Sequence, residues 1–373
     1  MRNRKLQIVA ILLFSLYIGV FGILYAVLPR ESFSEKEKRV LAAFPETSLN
    51  TVLDGSFESG FETWLSDHVP GRDTLVGINA EYEQISARNG LNGVIYAGGD
   101  RLYASADRLD AEDIRRKCAR INAFAEATAL PTDVLLIPDA GYIHEAELPL
   151  HAPYPDAELH RLMAESLDGG VNLIWPEVLL SADSEQAQLY YRTDHHLTSR
   201  GSYEVCRLYA ETVGRSLPDA AQYDVETCDG FYGSMYAKSG LWRVQPDTLE
   251  IWRSRALDQV SVSFDDREAS DSLFFTEHLQ EMDKYPVFLD GNHGLVVIDT
   301  GREGGESLLI VRDSFGHCFA PFAADAFDRV VLVDLRYYRK SVSALAQEMQ
   351  VDRVLFLYGA DTFITDGNFA WLK

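Results

Sequence analysis

Positive charge, cysteine and internal repetition are all scarce in this sequence. Its 373 residues include 34 lysines and arginines against 57 aspartates and glutamates, for a formal net charge of -23. Because binding to nucleic-acid phosphates needs a basic surface, no nucleic-acid partner is expected. The sequence has no Cys-x-x-Cys pair and no other cysteine spacing typical of a metal site. Internal repeats and low-complexity tracts are absent as well.

The four cysteines are Cys118, Cys206, Cys228 and Cys318. Outside the cell they could form up to two disulfides, with three possible pairings. Their spacing favours none of these pairings, and free cysteines are among the most buried residues in proteins. We therefore expect Cys118, Cys206 and Cys318 to be buried free thiols.

One long apolar run, residues 6–28, lies near the N-terminus. Its 23 residues include only two plainly polar ones, and a bilayer core needs about 20 apolar residues to cross it. A cleaved signal peptide is the alternative, but its apolar region usually spans about 7–15 residues. Residues 26–29 are also a poor cleavage site. The run therefore predicts an uncleaved transmembrane helix.

The charges around this run predict its orientation. Basic residues precede it within residues 1–5, and acidic residues follow soon after it. The positive-inside rule then makes residues 1–5 a cytoplasmic tail and places the bulk of the chain outside the cytoplasm. We expect a single-pass protein of the cell membrane.

The rest of the chain begins with a polar region and then alternates between strand and helix patterns. Residues 29–109 form a juxtamembrane region, with helical apolar spacing at 57–65 and a predicted hairpin at 91–102. From residue 110 to residue 373, short apolar runs alternate with amphipathic stretches. This pattern is typical of an α/β domain with a parallel sheet and helices on both faces.

Residues 224–300 interrupt that alternation and are predicted to form a β-rich insertion. They are rich in glycine and aromatic residues and hold short β-like runs at 248–252 and 260–264. The regular elements outside the insertion are helices at 110–128, 155–167, 198–213, 315–324 and 341–350, and strands at 133–138, 171–175, 307–311, 330–333 and 354–357.

Two polar segments of the α/β domain carry reactive side chains. Residues 190–198 read YYRTDHHLT and bring Asp194 and His196 just before an amphipathic helix. Far downstream, the apolar run 308–311 leads to Ser314 at a predicted helix start. Ligands of such sheets bind beyond the carboxyl ends of the strands, where this serine falls. An acid, a histidine and a serine on a strand-to-helix turn are the groups of a hydrolase or acyl transferase.

The two segments alone leave the roles of these residues open. Ser314 could be a nucleophile whose oxyanion is stabilised by the helix N-terminus, or Asp313 or Ser314 could simply cap that helix. His196 could take the serine proton while Asp194 orients its ring. The alternatives are a metal site, with His317 as the only candidate third ligand, or a structural histidine with Asp194 as a helix cap.

Together the segments resemble the DHHW family, named for Asp-His-His-Trp, which belongs with the alginate O-acetylation proteins in an SGNH-hydrolase-like group. The resemblance covers most of the chain, including the N-terminal anchor. Further matching segments lie at 33–35, 53–57, 66–73, 92–94, 231–234, 238–240, 288–293, 313–314 and 334–338. Matches at so many separated points are far more specific than a single motif.

The resemblance implies a catalytic Asp-x-His and a serine, here Asp194, His196 and Ser314. We expect His195 to shape the pocket. It implies an SGNH-like fold and transfer of an acetyl group to or from an exopolysaccharide through an acyl-serine. Acid and base precede the serine in the chain, as in the alginate-acetylation members. Most SGNH hydrolases place the serine first. The resemblance implies no cofactor and no metal.

Two positions depart from the family pattern. Leu197 stands where the family name has tryptophan, which removes a packing or sugar-stacking side chain. Asp361 occupies the position where an SGNH asparagine would stabilise the oxyanion, and a carboxylate would repel that charge. The oxyanion would then depend on backbone N–H groups, on Arg336 or on Asn292. Arg336 could equally be an ion-paired surface residue.

We therefore predict a membrane-anchored, extracytoplasmic SGNH-like O-acyltransferase or esterase that acts on a cell-surface or exported polysaccharide. A membrane partner could deliver its acyl groups. The alternatives are a catalytically weak glycan-binding or assembly protein, and a metallohydrolase. Clustered aromatic residues could line a sugar groove or pack in the core, namely Tyr190, Tyr191, Tyr232, Tyr236 and Trp242.

Overall fold

The chain forms two compact units. The computed structural model describes residues 2–86, 90–148, 153–183, 187–257, 259–265 and 267–372. One unit comprises Met1–Leu91 with Gly240–Trp242, and the other comprises Asn92–Ser239 with Arg243–Lys373. Helices dominate the first unit, and the second holds a large sheet.

The first unit begins with a long apolar helix. Its helices are α1 (Arg2–Val27), α2 (Leu49–Leu53), α3 (Ser56–Asp67) and α4 (Arg72–Ile85), and its short strands are β1 (Phe33–Ser34), β2 (Arg39–Val40) and β3 (Gly90–Leu91). Within α1, Leu6–Val27 spans 22 residues with a mean hydropathy of 2.5, and none of its most apolar stretch is buried. The helix is therefore long and apolar enough to cross a membrane.

The second unit contains the hairpin and the alternating elements. Its strands are β4 (Val94–Tyr96), β5 (Leu102–Ala104), β6 (Thr132–Ile137), β7 (Val171–Ile174), β8 (Tyr223–Phe231), β9 (Asp247–Ser254), β10 (Ser261–Phe264), β11 (Leu295–Asp299), β12 (Ser307–Arg312), β13 (Arg329–Val333) and β14 (Arg353–Gly359). Its helices are α5 (Ala111–Thr128), α6 (Ala140–Ile143), α7 (Asp156–Ser166), α8 (Glu177–Leu180), α9 (Ser199–Thr212), α10 (Ser234–Ser239), α11 (Phe315–Ala326), α12 (Val342–Glu348) and α13 (Ala360–Thr365). Each predicted helix and strand of the alternating region is confirmed to within two residues at either end.

The central sheet has seven strands in the order β10-β11-β13-β12-β14-β6-β7. From β13 to β7 all neighbouring strands are parallel. At the other side β11 is antiparallel to both β10 and β13. The predicted fold class, an α/β domain with a mainly parallel sheet and flanking helices, is confirmed.

The sheet is covered on both faces by apolar helix surfaces. Successive residues of β12 point to opposite faces, so Leu308 and Ile310 pack in one apolar layer and Leu309 and Val311 in the other. The first layer includes residues of α9 and α11, and the second includes residues of α5, α7 and α12. Strands buried on both faces explain the continuous apolar runs of the sequence.

The predicted insertion is β-rich, but it is not separate from the sheet. Strands β8 and β9 pair as an antiparallel hairpin, while β10 and β11 extend the central sheet. The predicted β-like runs at 248–252 and 260–264 correspond to β9 and β10, whereas the sequence pattern predicts neither β8 nor β11. Both are weak strand signals, because β8 is rich in polar residues and β11 is a short apolar run among glycines and polar residues.

All four cysteines are free, and Cys118, Cys206 and Cys318 are buried. The expectation of buried free thiols is therefore confirmed for these three. Burial raises the pKa of the Cys118 thiol to about 12 and that of Cys318 to about 11, so neither thiol is reactive near neutral pH.

Candidate active site

Ser314 lies on the turn between β12 and α11, at the N-cap position of the helix. Its side chain makes no capping bond. Asp313 does that instead, because its Oδ1 accepts the Phe315 N–H at 2.9 Å. The other oxygen, Oδ2, accepts the Gly359 N–H at 2.8 Å at the end of β14. The capping role expected for either residue therefore belongs to Asp313, and the Ser314 hydroxyl is left for another partner.

The buried side chain of Arg312 stabilises this turn by hydrogen bonds. Arg312 is 1% exposed, and its Nη1 donates to the Asp313 carbonyl at 3.3 Å, to His317 Nε2 at 2.5 Å and to Asp334 at 3.4 Å. Gly316 leaves room for it, since a Cβ at that position would lie 2.8 Å from Arg312 Cδ. Burial, followed by the charge of Arg312, lowers the pKa of His317 well below its usual range. His317 is therefore neutral and bonded to Arg312 in this buried network.

His196 connects the serine to an acid. Its Nε2 lies 2.7 Å from Ser314 Oγ, and its Nδ1 lies 2.5 Å from Asp194 Oδ1. The Tyr285 ring stacks on the imidazole with centroids 4.0 Å apart and planes 10° apart, and the His195 ring lies 3.8 Å away. Burial and the neighbouring His195 lower the pKa of His196. The ring is therefore fixed in place and held in its neutral form.

Asp194 is held by the chain that follows β8. Its Oδ2 accepts the Ser234 N–H at 2.5 Å, and its Oδ1 accepts the His196 N–H at 3.0 Å. Gly233 permits this approach, because a Cβ there would lie 2.2 Å from Asp194 Cβ. The segment 231–234, one of those that match the family, therefore fixes the carboxylate through the Ser234 N–H.

The residue before the acid is fixed by a buried carboxylate from β9. Asp247 Oδ2 accepts both the N–H and the hydroxyl of Thr193, at 2.8 and 2.7 Å. Its Oδ1 accepts the Arg192 N–H at 3.0 Å. Thr193 Oγ1 in turn accepts the Gly233 N–H at 3.0 Å. The β8–β9 hairpin therefore positions the Asp-His-His segment, a role that no local sequence signal could reveal.

Gly233→Ala is expected to lower the free energy of unfolding by about 1–3 kcal/mol, because the new methyl group overlaps Asp194. Gly170→Ala is the matched control, since no atom lies within 4 Å of a Cβ built there. Its effect should stay within about 0.5 kcal/mol. Urea unfolding followed by circular dichroism measures both. Equal stability of the two variants would contradict the tight packing of Gly233 on Asp194.

The other predicted site residues occupy different places. His195 borders the His196 ring, is about a quarter exposed, and bonds to Ser234 Oγ through Nδ1 at 2.8 Å. Arg336 is paired with Asp334 at 2.6 Å and donates to Asn292 Oδ1 at 3.3 Å. Among the described residues, neither Arg336 nor Asn292 donates a hydrogen bond to Ser314. The ion-paired role considered for Arg336 is the one the structure shows.

Asp361 lies in the first turn of α13, and one of its oxygens is engaged locally. Oδ1 accepts the Thr362 N–H at 2.6 Å and the Thr362 hydroxyl at 3.1 Å. The structure thus gives this carboxylate a local partner in its own helix. A helix N-terminus favours such a negative group.

Two expectations about aromatic and apolar residues change with the structure. Leu197 is 3% exposed and its backbone bridges to Tyr190, so this position packs in the core and offers no surface for stacking on a sugar. Tyr190 and Tyr191 are also fully buried. Of the two roles considered for Tyr190 and Tyr191, core packing is the one that the structure shows.

The family to which the chain belongs follows from its sequence match. The family model described as "DHHW protein" matches residues 37–114 and 170–333, which is more than half of the chain and includes Asp194, His196 and Ser314. The chain belongs to the DHHW family. No curated protein matches its sequence.

Solved structures share the fold of this DHHW protein. A DHHW family protein from Eubacterium siraeum is 22% identical with a TM-score of 0.64, and the match covers 75% of this chain and 95% of that one. PatB1 from Bacillus cereus, in a structure with a sulfonyl adduct, is 18% identical with a TM-score of 0.64, over 75% of this chain and 98% of that one. The O-acetyltransferase domain of Pseudomonas putida AlgJ is a more distant match, 11% identical with a TM-score of 0.46, over 75% and 95% of the two chains.

The metal alternative for this DHHW protein has one candidate cluster among the described residues. Ligand atoms of Asp194, His195 and His196 all lie within 4.8 Å of one another. The expected third ligand, His317, is bonded to Arg312 instead. Both ring nitrogens of His196 have partners, in Asp194 and Ser314. An ion would have to displace one of these bonds, so the arrangement fits proton transfer better than metal binding.

Proposed function

We propose that this DHHW protein is a membrane-anchored, serine-dependent O-acyltransferase or esterase, with Ser314 as nucleophile, His196 as general base and Asp194 as the group that orients His196. One observation carries the proposal. The bonds Asp194 Oδ1 to His196 Nδ1 at 2.5 Å and His196 Nε2 to Ser314 Oγ at 2.7 Å form a continuous chain of hydrogen bonds from the carboxylate to the serine. A serine is a weak nucleophile unless such a base takes its proton.

The proposed reaction passes through an acyl-enzyme. Ser314 Oγ attacks the carbonyl carbon of the acyl donor while His196 Nε2 takes the hydroxyl proton. The tetrahedral intermediate collapses, and His196 returns the proton to the departing oxygen. A sugar hydroxyl or water then attacks the acyl-serine with His196 again as base, which regenerates Ser314 and releases the ester or the free acid.

The developing oxyanion lies at the start of α11 in this proposal. This twelve-residue helix directs the positive end of its dipole toward Ser314. The Ser314 backbone N–H is our candidate donor to the oxyanion. Asp313 fixes the turn that carries this N–H, because its carboxylate accepts the N–H groups of Phe315 in α11 and Gly359 in β14. The buried guanidinium of Arg312, which donates to the Asp313 carbonyl, adds a positive charge next to the turn.

The acetyl group, the polysaccharide acceptor and the extracytoplasmic location are parts of the same proposal. The resemblance to the alginate O-acetylation proteins motivates the first two. The basic residues before α1 and the acidic residues after it motivate the third. A membrane partner that delivers acyl groups would meet the enzyme at the bilayer to which α1 anchors it.

Labelling by phenylmethylsulfonyl fluoride tests the proposed nucleophile. Ser314 Oγ should displace fluoride from the sulfur of the reagent while His196 takes the hydroxyl proton. The protein in detergent then carries one phenylmethylsulfonyl group on Ser314, as located by peptide mass spectrometry. The choice of reagent follows the sulfonyl adduct in the PatB1 structure. His196→Ala should abolish the labelling, because the serine is then no longer activated.

The same experiment can overturn the proposal. Labelling of His196→Ala at the wild-type rate would show that His196 does not activate the serine. Labelling at other serines with none at Ser314 would remove Ser314 as the nucleophile. His160→Ala is the control substitution, because this histidine stacks on Trp175 and should not affect labelling.

The pH dependence of turnover should reveal the lowered pKa of His196. His196 must be neutral to accept a proton, so kcat/KM is lost as the pH falls through its pKa. Burial and His195 place that pKa below the ordinary value of 6.5. The acid limb of kcat/KM for a chromogenic acetyl ester should therefore have its midpoint below pH 6.5. A midpoint at or above this value would contradict the buried, neutral histidine.

A further inference from the structure

A row of aromatic rings runs along α3 from the end of the apolar helix α1. Tyr25, in the last turns of α1, meets Trp64 edge-on with ring centroids 5.8 Å apart. Trp64 contacts Phe61 at 5.6 Å, and Phe61 stacks on Phe57 at 6.0 Å with planes 13° apart. The row is therefore continuous with the carboxyl end of the candidate membrane span.

The outer side of this row is apolar and uncovered. Phe44 packs edge-on against Phe57, Phe61 and Trp64, with centroid distances of 6.3, 6.1 and 4.9 Å. Even so, Phe44 is 54% exposed, Phe61 37% and Leu65 41%. A contiguous exposed apolar patch of this kind marks an interaction surface.

The opposite side of α3 is polar. The apolar positions 57, 61, 64 and 65 follow helical spacing and share one face, whereas Ser59, Glu62, Thr63 and Ser66 occupy the other and are exposed. Thr63 Oγ1 bonds back to the Ser59 carbonyl at 2.9 Å. The helix is therefore amphipathic, with its apolar face on the side that meets the end of α1.

The cationic side chain of Arg30 packs on the aromatic rings near the end of α1. The Arg30 guanidinium lies 4.6 Å from the Trp64 ring centroid and 5.6 Å from that of Tyr25. Tryptophan, tyrosine and arginine at the end of an apolar span are typical of the membrane–water interface, where amphipathic side chains contact both lipid and water.

We propose that α3 is an interfacial membrane helix: α1 crosses the bilayer, and the aromatic face of α3 with Phe44 lies on the same phospholipid surface. Amphipathic helices with aromatic apolar faces bind the headgroup region in this way. The occupant is lipid because the face begins at the ring of Tyr25, within the candidate span itself. The inference rests on the proposed anchoring by α1 and is independent of the chemistry at Ser314.

Fluorescent labelling at single cysteines tests the depth of each face of α3. The full chain carries Cys228→Ser, because Cys118, Cys206 and Cys318 are buried. A nitrobenzoxadiazole probe is attached at Phe61→Cys, Leu65→Cys, Ser59→Cys or, within α1, Ile11→Cys. The labelled proteins are reconstituted at low protein-to-lipid ratio into phosphatidylcholine–phosphatidylglycerol vesicles. Quenching is measured with nitroxide on the lipid chains, and with iodide on both sides of the membrane.

Probes at positions 61 and 65 should show blue-shifted emission, strong quenching by the lipid nitroxide and several-fold weaker quenching by iodide than position 59. Leu65→Cys leaves every ring of the aromatic row in place, so it keeps the test valid if Phe61→Cys disturbs the packing. Equal iodide quenching at 59, 61 and 65 would overturn the proposal.

The remaining outcomes separate the possible failures. If the probe at position 11 is also quenched by iodide, α1 does not span the bilayer and the anchoring itself fails. If position 11 is buried in lipid but 61 and 65 are not, only the interfacial placement of α3 fails. Protection at 61 and 65 without nitroxide quenching, lost on further dilution in lipid, would identify a second copy of the chain as the occupant and overturn the lipid surface.

Discussion

Ser314→Ala is expected to lower kcat for acetyl-ester turnover on the order of 10⁴-fold or more, because no other group replaces the nucleophile. The fold should be unaffected, since the Ser314 side chain makes no capping bond and Asp313 caps α11 in its place. Steady-state hydrolysis of a chromogenic acetyl ester by the full-length protein in detergent measures the loss, and thermal unfolding measures the stability.

Ser341→Ala is the matched control, because it should lower the stability of the fold and leave the catalytic rate unchanged. Ser341 caps α12 by accepting the Ala344 N–H at 3.1 Å. Its loss should cost about 0.5–2 kcal/mol of stability and leave the rate per folded molecule unchanged. If Ser314→Ala retains the wild-type rate, the proposed catalytic serine is wrong, and the glycan-binding alternative gains support.

Asp194→Asn is expected to lower kcat by about 10⁴-fold through the tautomer of His196. With the amide oxygen in the place of Oδ2, where it accepts the Ser234 N–H at 2.5 Å, the NH₂ group replaces Oδ1 and faces His196 Nδ1. The imidazole then carries its proton on Nε2 and cannot accept one from Ser314. The same NH₂ group also opposes the His196 backbone N–H.

Asp325→Asn provides the control for removing a buried carboxylate. Asp325 accepts the hydroxyls of Tyr223 at 2.7 Å and Ser254 at 2.5 Å, and an amide oxygen can accept from either hydroxyl. Turnover should therefore persist in Asp325→Asn. If kcat falls by a comparable factor in both variants, the effect of Asp194→Asn is due to general destabilisation and not to the orientation of His196.

The alternating part of the fold could be predicted because its signals are local. The strands β6, β12, β13 and β14 are short apolar runs, and polar caps mark the starts of α5 and α9, where Asp110 and Thr198 accept backbone N–H groups. Such patterns depend only on neighbouring residues. The pairing of Asp194, His196 and Ser314 could be proposed because their types match a known chemistry and a known family.

The supports of the site could not be predicted, because they come from distant parts of the chain. Tyr285 reaches His196 from a segment with no regular pattern, and Asp247 reaches Thr193 across 54 residues. Arg312 did leave a signal, since a charge within an apolar strand must have buried partners. The partners themselves, His317 and Asp334, depend on tertiary packing that a pattern does not encode.

The rings of the adjacent residues His195 and His196 lie 3.8 Å from each other. The segment between Tyr190 and Leu197 closes on itself through a backbone bridge, so its side chains do not alternate as in a strand. Local pattern rules assume regular backbone, and this turn is not regular. The clustering of the ligand atoms of Asp194, His195 and His196 therefore could not be predicted from the sequence pattern.

The edges of the central sheet are short, which disfavours pairing between the sheets of two molecules. The two edge strands of the central sheet, β10 (Ser261–Phe264) and β7 (Val171–Ile174), are each only four residues long. Short edges present few unpaired N–H and C=O groups to a sheet of another molecule. The acidic surface implied by the net charge of -23 adds mutual repulsion between copies. Crowding of many copies on one membrane would therefore not by itself drive edge-to-edge association of their sheets.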